Sequence, residues 1–264
     1  MKKFAALLAL TGITAFGNAW ADTKPTIALV HGAFENAGIW QGVEAGLKAD
    51  GYQVIVPTLP GRVGNPATPD KVSLDLYRDT VLRAIGSSKA PVVLVGHSFG
   101  GIVISDVAEA APKKIRSLVY LAAYLPKDGD SLLSLANTDK DAKIGPHLNI
   151  DKAHGMASVE QGARADLFAN DGPEQLRQVI PGLILDEPLA PLATPVKLSA
   201  AAYGSVPKFY VHTARDQVVS PSLQANMVAA TPVHNEVTLD TGHTPFLTNV
   251  SGVVQAIEHA AAGH

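Results

Sequence analysis

Residues 96–100 read Gly96-His97-Ser98-Phe99-Gly100, and Gly101 follows. The segment before them, Pro91–Val95, is a continuous apolar run of strand type, and helix-forming residues continue from Gly100 to Ala111. A serine in this G-x-S-x-G pattern sits on a sharp strand-to-helix turn, which lifts its hydroxyl above the sheet edge. Glycines clear the space beside it. The helix behind it offers free N–H groups and positive potential to a developing oxyanion. The chemistry this suits is nucleophilic attack with a covalent intermediate, with Ser98 as nucleophile.

Such a hydroxyl needs a base, and the base needs an orienting acid. Downstream histidines are 147, 154, 212, 234, 243, 259 and 264. His212 lies inside a strand-like run and His234 begins another; His147 and His154 fall in an irregular interval; His259 and His264 belong to the terminal helix and tail. His243 alone sits in a loop between a strand and the last helix, within Asp240-Thr241-Gly242-His243-Thr244-Pro245-Phe246. There an imidazole can reach the nucleophile, and His243 is the candidate base. For the acid, Asp216 lies just past the strand-like Phe209–Thr213. Asp240, three residues before the base, and Asp128 with Asp130 are alternatives.

The first strand ends in His31-Gly32-Ala33-Phe34. Gly32 allows close backbone approach, so the Ala33 and Phe99 N–H groups are the candidate oxyanion donors. His31 and His97 both end strands, but no H-E-x-x-H occurs and no carboxylate is placed with them by spacing. No metal and no cofactor are expected.

The elements that must position these groups alternate. Strand patterns fall on Thr26–His31, Tyr52–Pro57, Pro91–Val95, Ile115–Ala123, Lys208–His212 and Glu236–Leu239. Helical patterns fall on Trp40–Ala49, Leu74–Ile85, Gly100–Ala111, Leu223–Ala230 and Val250–Ala262. Uninterrupted Val/Ile/Leu strands between helices predict an α/β fold with a mostly parallel sheet covered on both faces. The interval 126–204 breaks the rhythm. Helical patterns at Ala157–Phe168 and Pro173–Ile180, with no strand pattern, predict an inserted helical cap on a single domain spanning 22–264. Leu132, Leu133, Leu135, Met156, Leu167, Phe168, Ile180, Leu183 and Ile184 give that cap apolar surface.

The chain of 264 residues is 47% hydrophobic and 17% charged, a globular composition. It has no cysteine, which excludes disulfides, a thiol nucleophile and thiolate metal sites. A formal charge of −3 gives no basic field, so nucleic acid is not an expected partner. Lys2 and Lys3, an apolar run from Phe4 to Phe16 and small residues ending at Ala21 predict a signal peptide cleaved after Ala21. The run is too short to span a bilayer, which needs about 20 residues. Cleavage leaves 243 residues carrying −5, exported to the periplasm or secreted, with no membrane span.

The sequence resembles the α/β-hydrolases over residues 24–262. It is most similar to the small branch of plant methyl-ester esterases and hydroxynitrile lyases with their bacterial esterase relatives. The matching segments are His31-Gly32-Ala33 with Trp40, Leu59-Pro60-Gly61, Gly96–Gly101, Leu118–Pro126, Tyr203–Pro207, the Asp216 segment and Gly242–Phe246. The resemblance implies about six mostly parallel strands, with Ser98 as nucleophile, Asp216 as acid, His243 as base and Ala33 and Phe99 as oxyanion donors. It implies hydrolysis of small or aromatic carboxylic esters, accelerating with pH as His243 loses its proton. The lyase members carry threonine where Gly32 stands and lysine where Thr244 stands. Cyanohydrin cleavage, a C–C hydrolase on the same triad and a low-turnover binding protein are the other readings.

Overall fold

The computed structural model describes residues 24–263. The expected signal peptide lies outside the described residues. The core elements are β1 (Ile27–Val30), α1 (Gln41–Ala49), β2 (Val54–Ile55), α2 (Leu74–Ala84), β3 (Val92–His97), α3 (Gly100–Ala110) and β4 (Ile115–Leu121). An insertion follows, with α4 (Leu132–Ala136), β5 (Leu148–Asp151), β6 (Met156–Val159), α5 (Arg164–Phe168), α6 (Glu174–Leu183), β7 (Glu187–Pro188) and α7 (Leu189–Ala193). The core resumes with β8 (Lys208–Thr213), α8 (Pro221–Ala230), β9 (Asn235–Leu239), α9 (Pro245–Thr248) and α10 (Val250–Ala262).

Six strands form one parallel sheet in the order β2-β1-β3-β4-β8-β9. Alternation within the apolar runs explains its two covered faces. Ala28, Val30, Val92, Leu94, Leu118, Tyr120 and Tyr210 pack on the face of α2, α3 and α8. Their neighbours Ile27, Leu29, Val93, Val95, Val119, Leu121, Phe209 and Val211 pack on the face of α1 and α10. Local chemistry sets the helix starts. Ser73 and Ser220 accept from the Leu76 and Leu223 N–H groups at 3.1 Å, capping α2 and α8.

Register brings the functional loops to one edge. Val30 pairs with Gly96, His97 with Leu121, Leu121 with Val211 and Thr213 with Leu239. The segments after β1, β3, β4, β8 and β9 therefore all leave from the carboxyl end of the sheet. Strand order reverses between β1 and β3, the switch point where open α/β sheets leave a crevice.

The insertion departs from expectation. It contains a three-stranded antiparallel sheet, β5-β6-β7, beside its helices. β6 occupies residues for which a helical pattern was expected from Ala157. Ala157 faces Ile150 across a short hairpin on one side and the sequence-distant Glu187 on the other, so helical propensity gives way to strand partners on both sides. Leu183 is also corrected, since it points to solvent, 41% exposed, whereas Leu132, Leu167, Phe168, Ile180 and Ile184 are buried against the core. Among the described residues no helix is long and apolar enough to cross a membrane.

Candidate active site

Ser98 stands between β3 and α3 with φ of 51°, the left-handed region that a non-glycine residue occupies at a cost of about 1–3 kcal/mol. The surroundings impose this conformation. The Ser98 N–H donates to the Leu121 carbonyl at 3.3 Å, and the Ser98 carbonyl accepts from the Gly101 and Tyr124 N–H groups at 3.1 Å each. The turn is too tight for side chains: a β-carbon on Gly100 would lie 2.7 Å from the Val30 carbonyl oxygen.

His243 follows β9, and its Nδ1–H donates to Asp216 Oδ2 at 2.9 Å. Both are buried, His243 at 1% exposure and Asp216 at 3%. The carboxylate is held from every side. Oδ1 accepts from the Val218 and Val219 N–H groups at 2.8 and 3.0 Å, while Oδ2 accepts from Thr213 Oγ1 at 2.8 Å and Gln224 Nε2 at 3.3 Å. The His243 ring lies against the ring of His97, the residue before Ser98, with centroids 4.6 Å apart. Ser98 after β3, Asp216 after β8 and His243 after β9 thus all lie at the carboxyl edge of the sheet.

The other candidates have different partners. Asp240 is exposed and pairs with Arg215 at 3.0 Å. Asp128 and Asp130 accept backbone N–H groups from Leu198 and Lys127. His147 meets Glu160, His154 meets Asp151 and His212 meets Glu236. His234 packs on Phe209, and His259 reaches Asn235. His264 lies outside the described residues.

The loop after β1 closes the other side. A β-carbon on Gly32 would lie 2.9 Å from Ser98 Cβ, so only glycine permits this approach. Ala33 is buried beside it. Among the described residues no group accepts from the Ala33 or Phe99 N–H. His31 is structural: its Nδ1–H donates to the Gly32 carbonyl at 2.9 Å, and its Nε2 accepts from Leu59 N–H at 3.3 Å. Complete burial, helped by the Arg62 charge, lowers its pKa to about 4 from 6.5. The fold thus holds the neutral ring, whereas the unfolded chain takes up a proton below pH 6.5. Stability contributed by His31 is expected to be intact at pH 7 and to fall as pH drops towards 4, by roughly 3 kcal/mol in all. Urea unfolding at pH 7 and pH 5 checks this, and His31→Gln should show a shallower acid loss.

Sequence reasoning missed four supporting side chains. Gln224 from α8 braces Asp216, as described. Glu35 was overlooked as a partner of the strand-end histidines: its Oε2 accepts from the Gly32 N–H at 2.8 Å and lies 2.9 Å from His97 Nδ1. Its spacing from Gly32 was the available signal. Glu187 and Arg62 form a fully buried ion pair between insertion and core. Glu187 also accepts from the Phe34 N–H and the Tyr77 hydroxyl, each at 2.9 Å. Burial pushes the Glu187 carboxyl up; Arg62, Phe34 and Tyr77 offset part of that. Glu187 therefore clasps the residue directly after Ala33, and the Leu185 N–H adds a bond to the Phe34 carbonyl at 2.8 Å. Glu187→Ala strands the Arg62 charge and is expected to destabilise the protein by about 3–5 kcal/mol in denaturant unfolding. On the opposite side the insertion covers the base loop, where Thr244 Oγ1 donates to the Phe168 carbonyl and the Phe168 and His243 rings lie 5.7 Å apart.

Against known proteins, residues 27–256 match the family model described as the alpha/beta hydrolase family. The chain belongs to the alpha/beta hydrolase family. It is 30% identical to a putative chloroplastic methylesterase 11 of Arabidopsis thaliana, over 83% of this chain and 60% of the relative. It is 43% identical to a carbendazim hydrolyzing esterase of a Nocardioides species over 40% of this chain and 45% of the relative. It is 26% identical to a pyrethroid hydrolase of Sphingobium wenxiniae over 89% and 87%. The chain spans between 45% and 60% of the length of the first four curated relatives. In structure it is similar to a pyrethroid hydrolase from Sphingobium faniae, with a TM-score of 0.81 at 23% identity, covering 90% and 97% of the two chains. That likeness shows that the alpha/beta hydrolase fold is shared.

Proposed function

We propose that this alpha/beta hydrolase is a serine esterase working through an acyl-enzyme. The observation that carries the reading is the buried Asp216–His243 pair at the same sheet edge as a strained Ser98, with no acceptor for the Ala33 and Phe99 N–H groups among the described residues. Asp216 occupies Nδ1, so the Nε2 lone pair is left for the serine. Ser98 Oγ attacks the ester carbonyl carbon as His243 Nε2 takes its proton, and the oxyanion accepts from Ala33 and Phe99 N–H. The C–O bond to the alcohol then breaks, and the alcohol leaves with the proton from His243. Water, deprotonated by His243, attacks the acyl carbon, and Ser98 regains its proton as the acid departs.

Esters with small or aromatic parts are the substrate class. Supporting this are the buried Leu167, Phe168, Ile180 and Ile184, which join Phe34 and Phe99 in one apolar cluster, and the esterase names of the relatives. The residue after the base is Thr244, engaged with Phe168, so no cation stands there for a leaving cyanide. Lys2-Lys3 and the apolar run after them support export to the periplasm or beyond. The test is p-nitrophenyl acetate: steady release of p-nitrophenolate well above the buffer rate is expected, and release at the buffer rate contradicts the reading.

A further inference from the structure

One buried group in the site has no part in the mechanism above. Glu35 and His97, 2% and 0% exposed at their side chains, form a second carboxylate–imidazole pair beside the first. Donor counting fixes its protons. The His243 carbonyl only accepts, so His97 Nε2 carries a proton and donates to it at 2.8 Å. The Gly32 N–H already donates to Glu35 Oε2. The remaining contact, Nδ1 to the same Oε2 at 2.9 Å, holds one more proton. Burial by itself raises the Glu35 carboxyl, but the charge and hydrogen bond of His97, the charge of His243 and the Gly32 N–H outweigh it and hold it below its ordinary value. Both ring nitrogens of His97 are thus engaged in hydrogen bonds, one to Glu35 and one to the His243 carbonyl.

The result is an unbroken chain from the Gly32 N–H through Glu35 and His97 to the His243 carbonyl. It joins the loop that carries Ala33, the turn that carries Ser98 and the loop that carries the base. Other charges close by have partners of their own. Arg62 pairs with Glu187 and donates Nε–H to the Glu35 carbonyl at 2.6 Å; His31 is neutral; His243 faces Asp216. The walls are apolar, with Trp40 and Phe246 meeting the His97 ring edge to face at 6.4 and 4.7 Å. A buried carboxylate–imidazole pair in such a place adds little stability over apolar packing, so stability alone gives no reason for it.

We propose that Glu35 and His97 are a positioning pair that sets the oxyanion loop and the base loop relative to Ser98. The proposal rests on the esterase reading. Glu35→Gln tests it, because glutamine fills the same space but lacks the carboxylate charge that strengthens both contacts. An amide oxygen at that position accepts from Gly32 but gives the hydrogen bond at His97 Nδ1 no charge assistance. An amide nitrogen donates to Nδ1 and opposes the Gly32 N–H.

The expected result is a fall in kcat for p-nitrophenyl acetate of about 10- to 100-fold with KM little changed. His97→Gln added to Glu35→Gln should lower kcat no further, since a linked pair is non-additive. Proton NMR of the wild-type chain should show two downfield resonances from the hydrogen bonds at the His97 ring nitrogens, and the one towards residue 35 should move upfield in the variant. An unchanged kcat in Glu35→Gln overturns the proposal, as does a single downfield hydrogen-bond resonance at the His97 ring in the wild type. The NMR result stands even where the variant fails to fold or the wild type turns over no ester, so failure of the pair and failure of the esterase reading are distinguishable.

Discussion

Ser98→Ala is expected to lower kcat for p-nitrophenyl acetate by about 10⁶-fold, the scale seen when a triad serine is removed. No substitute nucleophile stands ready, since the chain contains no cysteine. What remains is carbonyl polarisation by the Ala33 and Phe99 N–H groups, which is worth far less than covalent attack. The fold should be spared. The backbone bonds of residue 98 to Leu121, Gly101 and Tyr124 do not involve the hydroxyl, and alanine at φ of 51° bears a similar strain. Thermal unfolding should therefore change by no more than about 1 kcal/mol, which separates lost chemistry from lost structure.

Asp216→Asn is expected to cost about 10⁴ in kcat. The hydrogen-bond pattern decides which way the amide sits. Oδ1 faces two backbone donors, Val218 and Val219 N–H, so the amide oxygen stays there. The amide nitrogen is then forced into the place of Oδ2, against His243 Nδ1, the Thr213 hydroxyl and Gln224 Nε2. Donating to Nδ1, it drives the imidazole proton onto Nε2. That tautomer cannot accept the Ser98 proton. Steady-state kinetics on p-nitrophenyl acetate checks the size of the loss, and KM should move little.

Much of this could be read from the residues because the signals were local. The parallel sheet showed as unbroken Val/Ile/Leu runs, since both of its faces are covered. Gly96–Gly101 announced the turn through glycines that the close Val30 and Tyr124 backbone carbonyls require. His243 and Asp216 stood out by following strands. What escaped depends on distant partners. β5, β6 and β7 are short, and β7 joins β6 from far along the chain, so the Ala-rich segment after Met156 reads as helix when taken alone. Leu183 continues an apolar pattern, yet lies on the outer side of α6. Glu187 meets Arg62 125 residues away and Phe34 153 residues away, and no spacing rule links them. Glu35 was only three residues from Gly32, but its value comes from His97, 62 residues on. Charged groups buried between loops are set by the fold as a whole, and a sequence pattern carries little trace of them.

The central claim is that Ser98 is a nucleophile activated by His243. Its most direct test is intact-protein and peptide mass spectrometry after treatment with a fluorophosphonate. One phosphonyl adduct per chain, carried on the peptide containing Ser98, abolished in Ser98→Ala and slowed severely in His243→Ala, is the predicted result. An unlabelled wild-type chain, or an adduct elsewhere that persists in Ser98→Ala, would contradict it.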